Sequence, residues 1–442
     1  MTVAAPANSY AAAFDTLTRE APVPAGVQAK RIAGLHRFNA LGFPTTKNED
    51  WHYTSVSPIA NAGFSLPPER TDEVRAGQLD PYYFRAENWP TAVFVNGRFS
   101  PRLSSLKNLP AGVRIETLAA SWVTSPSLID RVGQVATNEG YAFTSLNTAF
   151  MYDGAMIEIA NGAAVAGAIH LLYVSDAAAD GGQTHPRTVV AAGRHSKATV
   201  IESYVSLSDA KYLTNAVTEV TLADGANLSH YKIQREGIRS FHVGTIEVRQ
   251  ARDSHYQSFS LAIGAELSRT NVYTTLDGEN CGATLNGLYM IGGDQHCDHQ
   301  TQIIHAQPHC FSRELYKGIL DGRSHGVFNG KVYVHPIAQK TDGKQTNKTL
   351  LLSDQAKADT KPQLEIFADD VKCTHGATIG QIDQQALFYM KSRGVNSETA
   401  TKLLTYAFAA DVLETIELEP LKVELEKLTL ERFTSVRTEE VD

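Results

Sequence analysis

The sequence is poor in cysteine and in positive charge. Its 442 residues include four irregularly spaced cysteines, and 48 Asp and Glu residues outnumber 40 Lys and Arg. So few thiols cannot form the disulfide framework of small secreted domains, and we predict a cytoplasmic location. A formal net charge of −8 excludes a broad basic face for nucleic acid. No apolar run approaches the ~20 residues that span a bilayer, and no secretory signal is evident at the start. We therefore expect no nucleic-acid and no membrane partner.

Common nucleotide-binding and catalytic motifs are also missing. The sequence has no GxxxxGK[ST] phosphate loop, no GxSxG nucleophile elbow and no GxGxxG between a strand and a helix. A segment between His296 and Cys310 is dense in histidine, but it has no CxxC pair and no helical HxxxH pair. A closed structural zinc site is therefore not predicted there.

Short strands dominate the long middle of the chain. Apolar runs of four to seven residues, many separated by Gly, Asp or Asn, continue from about residue 156 to 379, and Asn96-Gly97 between two apolar runs predicts a hairpin. This length exceeds a single sandwich and favours a stacked β architecture. We predict an N-terminal helical region over 1–90, a β core over 91–382 and a C-terminal helical domain over 383–442.

An internal repeat supports a stack. Residues 277–290 realign, with one gap, on residues 321–333 at an offset of 43 to 44, and residues 375–379 form a partial third copy. If two turns of a solenoid take about forty residues, the copies stack on one face. Cys281, His325 and His375 would then form a column.

Cys373 and His375 form a second pattern of interest. They are two residues apart, so they point to the same side if the segment is a strand. A thiolate beside an imidazole can receive sulfur or hold iron. On spacing alone, the pair is a weak indication of a metal site.

Several motifs together resemble one protein family. Residues 308–318, 326–334, 338–342, 350–353, 373–380 and 387–395, with 51–54 and 143–147, resemble the SufB/SufD iron–sulfur cluster assembly proteins over most of the chain. His375-Gly-Ala-Thr stands where SufB-like sequences have His-Glu, and Asn347 stands roughly where they place a sulfur-accepting cysteine. The cysteine-rich N-terminal motif of many SufB proteins is missing. These departures resemble the SufD branch of the family.

The resemblance implies a right-handed parallel β-helix core with helical N- and C-terminal regions. It implies a non-catalytic scaffold subunit that pairs through the core with a SufB-like paralogue, or with a second copy of itself when alone. A nascent iron–sulfur cluster would be shared at that interface, with His375 as the candidate ligand and Cys373 as a weaker one. A flavin has been associated with such complexes, but the sequence contains no flavin-binding motif.

The C-terminal helices are the region that the resemblance assigns to a SufC-like ATPase. Their apolar stripes include Leu403, Leu404 and Phe408, which we take as candidate partner contacts. Packing of the same stripes on the body of the chain is an equal alternative.

A different class of function is a β-helix enzyme with a metal or carboxylate site on its surface. Such an enzyme should align acidic residues at matching positions of successive turns, and the repeat aligns Cys and His instead. An enzyme should also act alone, whereas a scaffold should co-purify with an ATPase and a paralogue.

Overall fold

A computed structural model describes residues 7–68, 73–84, 88–107, 109–124, 130–137 and 140–435. The helices are α1 (Ala7–Glu20), α2 (Ala25–Leu41), α3 (Ser57–Ala62), α4 (Leu118–Thr124), α5 (Ala142–Phe150), α6 (Gln384–Ser392), α7 (Ser397–Leu413) and α8 (Glu419–Ser435). Short 3-10 helices cover Glu49–Trp51, Ala76–Tyr82 and Ala177–Ala179.

The strands begin with the predicted hairpin, which is β1 (Thr91–Val95) and β2 (Arg98–Phe99). The others are β3 (Val113–Thr117), β4 (Gly154–Ile159), β5 (Ile169–Ser175), β6 (Gln183–Thr184), β7 (Arg187–Ala192), β8 (Lys197–Ser206), β9 (Leu213–Leu222), β10 (Asn227–Arg235), β11 (Phe241–Gln250), β12 (His255–Ala262), β13 (Leu267–Leu276), β14 (Gly282–Ile291), β15 (His296–His305), β16 (Phe311–Leu320), β17 (His325–Val334), β18 (Thr341–Leu351), β19 (Lys357–Ile366) and β20 (Val371–Gln381).

The strands form two long sheets. The first sheet has the order β2-β1-β5-β8-β10-β12-β14-β16-β18-β20, and the second runs from β19 through the odd-numbered strands to β7, β4 and β3. From β7 onward successive strands alternate between the two sheets, and each pairs in parallel with the strand two places later. This arrangement is a parallel β-helix, and the predicted fold class is confirmed.

The internal repeat spans one and a half turns, not two. Gly282 pairs with Phe311, 29 residues further on, so an offset of 43 to 44 residues moves from one sheet to the other. Cys281 accordingly precedes β14 in the first sheet, whereas His325 begins β17 in the second. His375 lies in the first sheet, but further along its strand than Cys281. The predicted column of these three side chains is therefore wrong.

Apolar side chains fill the space between the sheets and attach the helices to them. Val200, Leu285, Ile303 and Phe328 belong to one interior cluster drawn from both sheets, and each is at most 1% exposed. The N-terminal helices pack through α1, α2 and α5 on the start of β9, β11 and β13. Helices α7 and α8 pack on the outer face of the first sheet. Burial of these faces stabilises both helical regions.

The two ends of the β-helix differ. The first turn ends in antiparallel strands, because β2 pairs with β1 and β3 with β4. The last turn ends in β19 and β20, each paired on one side only within the described part of the chain. The side chains of β20 are exposed from Thr374 to Gln381. Solvent exposure of β20 therefore distinguishes this end in the described part of the chain, and we call it the open end.

Candidate functional site at the open end

His375 occupies the last position of a column that is otherwise buried. Parallel pairing places it over Gln345, which lies over Glu314, and that residue lies over Leu285. The three residues beneath it are at most 4% exposed, whereas His375 is exposed. Its position points toward the axis of the β-helix, and it reaches solvent only because no further turn covers it.

Cys373 lies on the same side of β20 as His375, because alternate residues of a strand face the same way. It is half-buried and packs against the buried cluster of Val332, Val334, Ala338 and Ala368 in the last turns. Burial raises the pKa of the thiol, which disfavours the thiolate that binds metal. Cys373 is therefore the less available donor of the two.

Two polar side chains lie beneath His375. Gln345 Nε2 donates to Glu314 Oε2 at 2.6 Å, and Gln345 Oε1 has no hydrogen-bond partner in the described part of the chain. Burial raises the pKa of Glu314 to about 7. No sequence motif marks these residues, since Glu314 and Gln345 are 31 residues apart and meet only through the strand register.

The Asn347 position is also buried inside the β-helix. Asn347 is 1% exposed, and its Nδ2 donates to the carbonyl oxygen of Tyr316 at 3.2 Å. It lies one turn beneath Ala377 in the neighbouring column to that of His375. The two positions singled out from the sequence therefore lie on adjacent turns of the same interior.

The histidine-dense segment of β15 does not form a metal site. His299 and His305 are buried; His299 lies beside Cys297, and His305 Nε2 is 3.0 Å from Ser312 Oγ. His296 points outward to Thr54 Oγ1 at 2.9 Å. Across the described residues, no group of three or more His, Cys, Asp or Glu side chains is arranged to hold a metal ion. His375 and Cys373 supply two donors at most.

The candidate partner contacts of the C-terminal helices divide between two environments. Leu403 is 46% exposed, and Leu404 is partly exposed. Phe408 packs against the first sheet, with Lys317 Nζ 4.4 Å from its ring centroid and 2.6 Å from its carbonyl oxygen. Phe388, at 74% exposure, is a further exposed apolar side chain on these helices, outside the three predicted contacts.

A groove of about 1180 Å³ lies far from β20. Its lining comes from residues between Gly112 and Gly278 and carries both charges, including Arg131, Glu158 and Arg249. Arg131 and Arg249 form ion pairs with Glu158 and Asp277. The groove lining therefore carries charges of both signs, several of them in ion pairs, and does not point to one ligand class. No helix in the described ranges is both long and apolar enough to cross a membrane.

The fold is a parallel β-helix, and its last strand, β20, has an unpaired edge among the described residues and exposes His375. Comparison with known proteins then identifies the family. Residues 173–408 match the model of the SUF system FeS cluster assembly SufBD core domain, and residues 8–171 match the SufBD protein N-terminal region. The chain belongs to the SufBD family of iron–sulfur cluster assembly proteins.

Individual relatives agree over nearly the whole length. The chain is 34% identical over 395 residues to the iron–sulfur cluster assembly protein SufD of Escherichia coli, covering 88% of this chain and 89% of that protein. It is 32% identical over 406 residues to a SufBD family protein of Synechocystis, covering 89% and 88%. It is 25% identical over 416 residues to SufD of Bacillus subtilis, covering 91% and 93%. The resemblance to the SufD branch is confirmed.

Proposed function

We propose that the chain is a non-catalytic scaffold subunit that pairs with a SufB-like paralogue and contributes His375 to a nascent iron–sulfur cluster at their interface. The observation that carries this proposal is the exposure of His375 at the open end of an otherwise buried column. A side chain at that position faces both the interior of its own β-helix and any protein that stacks on the last turn.

The open edges of β19 and β20 support the pairing. Backbone N–H and C=O groups along an unpaired edge are a ready template for another strand. Apolar side chains lie near the same end, with Phe367 57% and Ile379 45% exposed. A related β-helix can satisfy the backbone groups and cover these side chains together. A second copy of this chain offers the same edge and is the alternative occupant when the paralogue is missing.

The cluster is cargo in this proposal, not a resident cofactor. An imidazole and one half-buried thiol cannot complete the ligand set of an iron–sulfur cluster, which normally takes four cysteines. The partner must therefore supply the remaining ligands. An incomplete set on each subunit also suits release, because separating the subunits removes part of the coordination.

We assign the ATPase contact to the exposed side of α6 and α7. Phe388, Tyr389 and Leu403 are all exposed there, while the opposite side of α7 packs on the β-helix. ATP hydrolysis would belong to a SufC-like partner. The cytoplasmic location stays part of the proposal and agrees with four free cysteines. Flavin binding stays open and has no residue assigned to it.

The test compares two histidine variants in the reconstituted complex. His375→Ala should still co-purify with the SufB-like and SufC-like proteins, while iron retention after anaerobic reconstitution weakens at least about tenfold. His36→Ala, an exposed histidine in α2, is the control and should retain iron. Unchanged iron in His375→Ala would remove this residue from the site. Activity of the chain alone, without partners, would instead favour the enzyme alternative.

A further inference from the structure

Two cysteines outside the open end lie on neighbouring turns of the β-helix. Cys281 directly precedes β14 and Cys310 directly precedes β16, and these strands pair in register from Gly282 and Phe311 onward. The Phe311 N–H donates to the carbonyl oxygen of Cys281 at 3.0 Å. Adjacent parallel strands are ~4.8 Å apart, and disulfides join Cα atoms ~4.4–6.8 Å apart. The backbone spacing at this position therefore suits a disulfide.

The side chains of the two cysteines also converge. Cys281 Sγ lies 3.2 Å and Cys310 Sγ 3.3 Å from the carbonyl oxygen of Gly278. The interaction between the two neighbouring thiols lowers the pKa of Cys281 and raises that of Cys310. Cys281 is thus the first of the pair to ionise. Both residues are at most 1% exposed.

The other two cysteines have no such neighbour. The register partners of Cys297 are Ser268 and Gly326, and Cys373 pairs with Gly343. Cys281 and Cys310 are therefore the two cysteines that the β-helix places on adjacent positions of one column within the described residues.

A short surface turn covers the pair. Residues 277–280 connect β13 to Cys281, and Asp277, Glu279 and Asn280 are exposed. Asn280 has a φ of 59°, in the left-handed region. Displacement of a four-residue surface turn requires far less unfolding than opening the β-helix, since exposed loops open locally at low free energy. Backbone hydrogen bonds from Asp277 and Gly278 to Gln250 and from Asn280 to Pro308 hold this turn, so the sulfur atoms become accessible when these few bonds open.

We propose that Cys281 and Cys310 form a redox-modification site, in which the two thiols are oxidised reversibly to an intramolecular disulfide by a low-molecular-weight disulfide. The Cys281 thiolate attacks the disulfide RSSR, forming a mixed disulfide and releasing one thiolate RS⁻. The Cys310 thiolate then attacks the Cys281 sulfur, forming the protein disulfide and releasing the second RS⁻. Two protein thiols are oxidised, one RSSR is reduced to two RSH, and the protons of the protein thiols pass to the leaving thiolates.

The test uses the full chain and glutathione. The reduced protein is equilibrated with increasing ratios of oxidised to reduced glutathione, free thiols are blocked under denaturing conditions, and intact mass and peptide maps are recorded. The wild type should lose two hydrogen atoms in mass and show one linked pair of peptides containing Cys281 and Cys310. Dithiothreitol should reverse the change.

Serine variants separate this pair from the other thiols. Cys297→Ser, which removes a buried cysteine outside the pair, should form the same link, whereas Cys281→Ser and Cys310→Ser should not. The oxidised wild type should also melt at a higher temperature than the reduced form, because the link closes a loop across one turn. Four blocked thiols at every glutathione ratio, or a link that involves Cys297 or Cys373, would overturn the proposal. The outcome is independent of the partners and of His375.

Discussion

The two ends of the β-helix differ in how far their strands are exposed to solvent. At the N-terminal end, the antiparallel strands β2 and β3 finish the sheets, and every residue of β1 is buried. At the C-terminal end the stack stops at β19 and β20, and an interior-facing column reaches solvent at His375. The same column position that holds an apolar or hydrogen-bonded side chain inside the stack is therefore solvent-exposed at its end, where we propose that His375 binds the cluster.

The largest difference in stability should appear between two variants that place an aspartate in this column, one in the buried interior and one at the exposed end. Leu285→Asp puts an unpaired carboxylate at a fully buried position and should reduce the free energy of unfolding by at least about 4 kcal/mol. His375→Asp, three turns later in the same column, should change it by about 0.5 kcal/mol or less, because water solvates the new charge. Urea unfolding of both variants checks the difference. Equal losses would mean that the last turn is as enclosed as the interior.

The pH dependence of stability tests whether the column is buried at Glu314, two turns before His375. Burial raises its pKa from 4.5 to about 7, so the unfolded chain ionises first as the pH rises. The wild type should therefore lose up to about 3 kcal/mol of stability between pH 4.5 and pH 7, relative to Glu314→Gln, which has no proton to lose. The measurement is the unfolding free energy of both proteins across this range. Parallel profiles would show that the carboxyl is not held neutral inside the stack.

A smaller effect should distinguish the two sides of α7. Phe408→Ala removes a ring that packs on the first sheet and should destabilise the docking of the C-terminal helices by about 2 kcal/mol. Leu403→Ser, on the exposed side, should change stability by about 0.5 kcal/mol or less but weaken binding of the ATPase. Thermal unfolding and a pull-down with the SufC-like protein check both. Wild-type ATPase binding by Leu403→Ser would move the contact elsewhere.

Short apolar runs with turn residues recur along the core and predict a stacked β architecture, whereas the parallel β-helix itself was implied by the family resemblance. The internal repeat corresponds to one and a half turns of the β-helix, whereas the sequence predicts two. Gly287 and Gly330, which correspond in the two copies, lie in opposite sheets. A Cβ at Gly287 would lie 2.3 Å from Tyr316, and one at Gly330 would lie 2.1 Å from Gln345. Each glycine makes room for a bulky side chain, so similar interior packing produces similar sequence on both sheets.

Only part of the candidate site can be predicted from the sequence. The spacing of Cys373 and His375 predicts their shared side, since strand residues alternate. The contribution of Glu314 and Gln345 required the register of three strands, which no local pattern contains. Helical spacing likewise predicts that Leu403 and Phe408 belong to apolar stripes. It does not predict that Leu403 faces solvent and Phe408 faces the first sheet. Tertiary packing determines which of these side chains meet and which face solvent.

Hydrogen–deuterium exchange with and without the SufB-like partner shows whether the last turn of the β-helix is the docking surface. We predict that backbone amides of Val371–Gln381 become strongly protected when the partner is added, whereas those of Thr91–Val95 at the other end keep their exchange rates. A partner that binds while the exchange of Val371–Gln381 stays unchanged would contradict it.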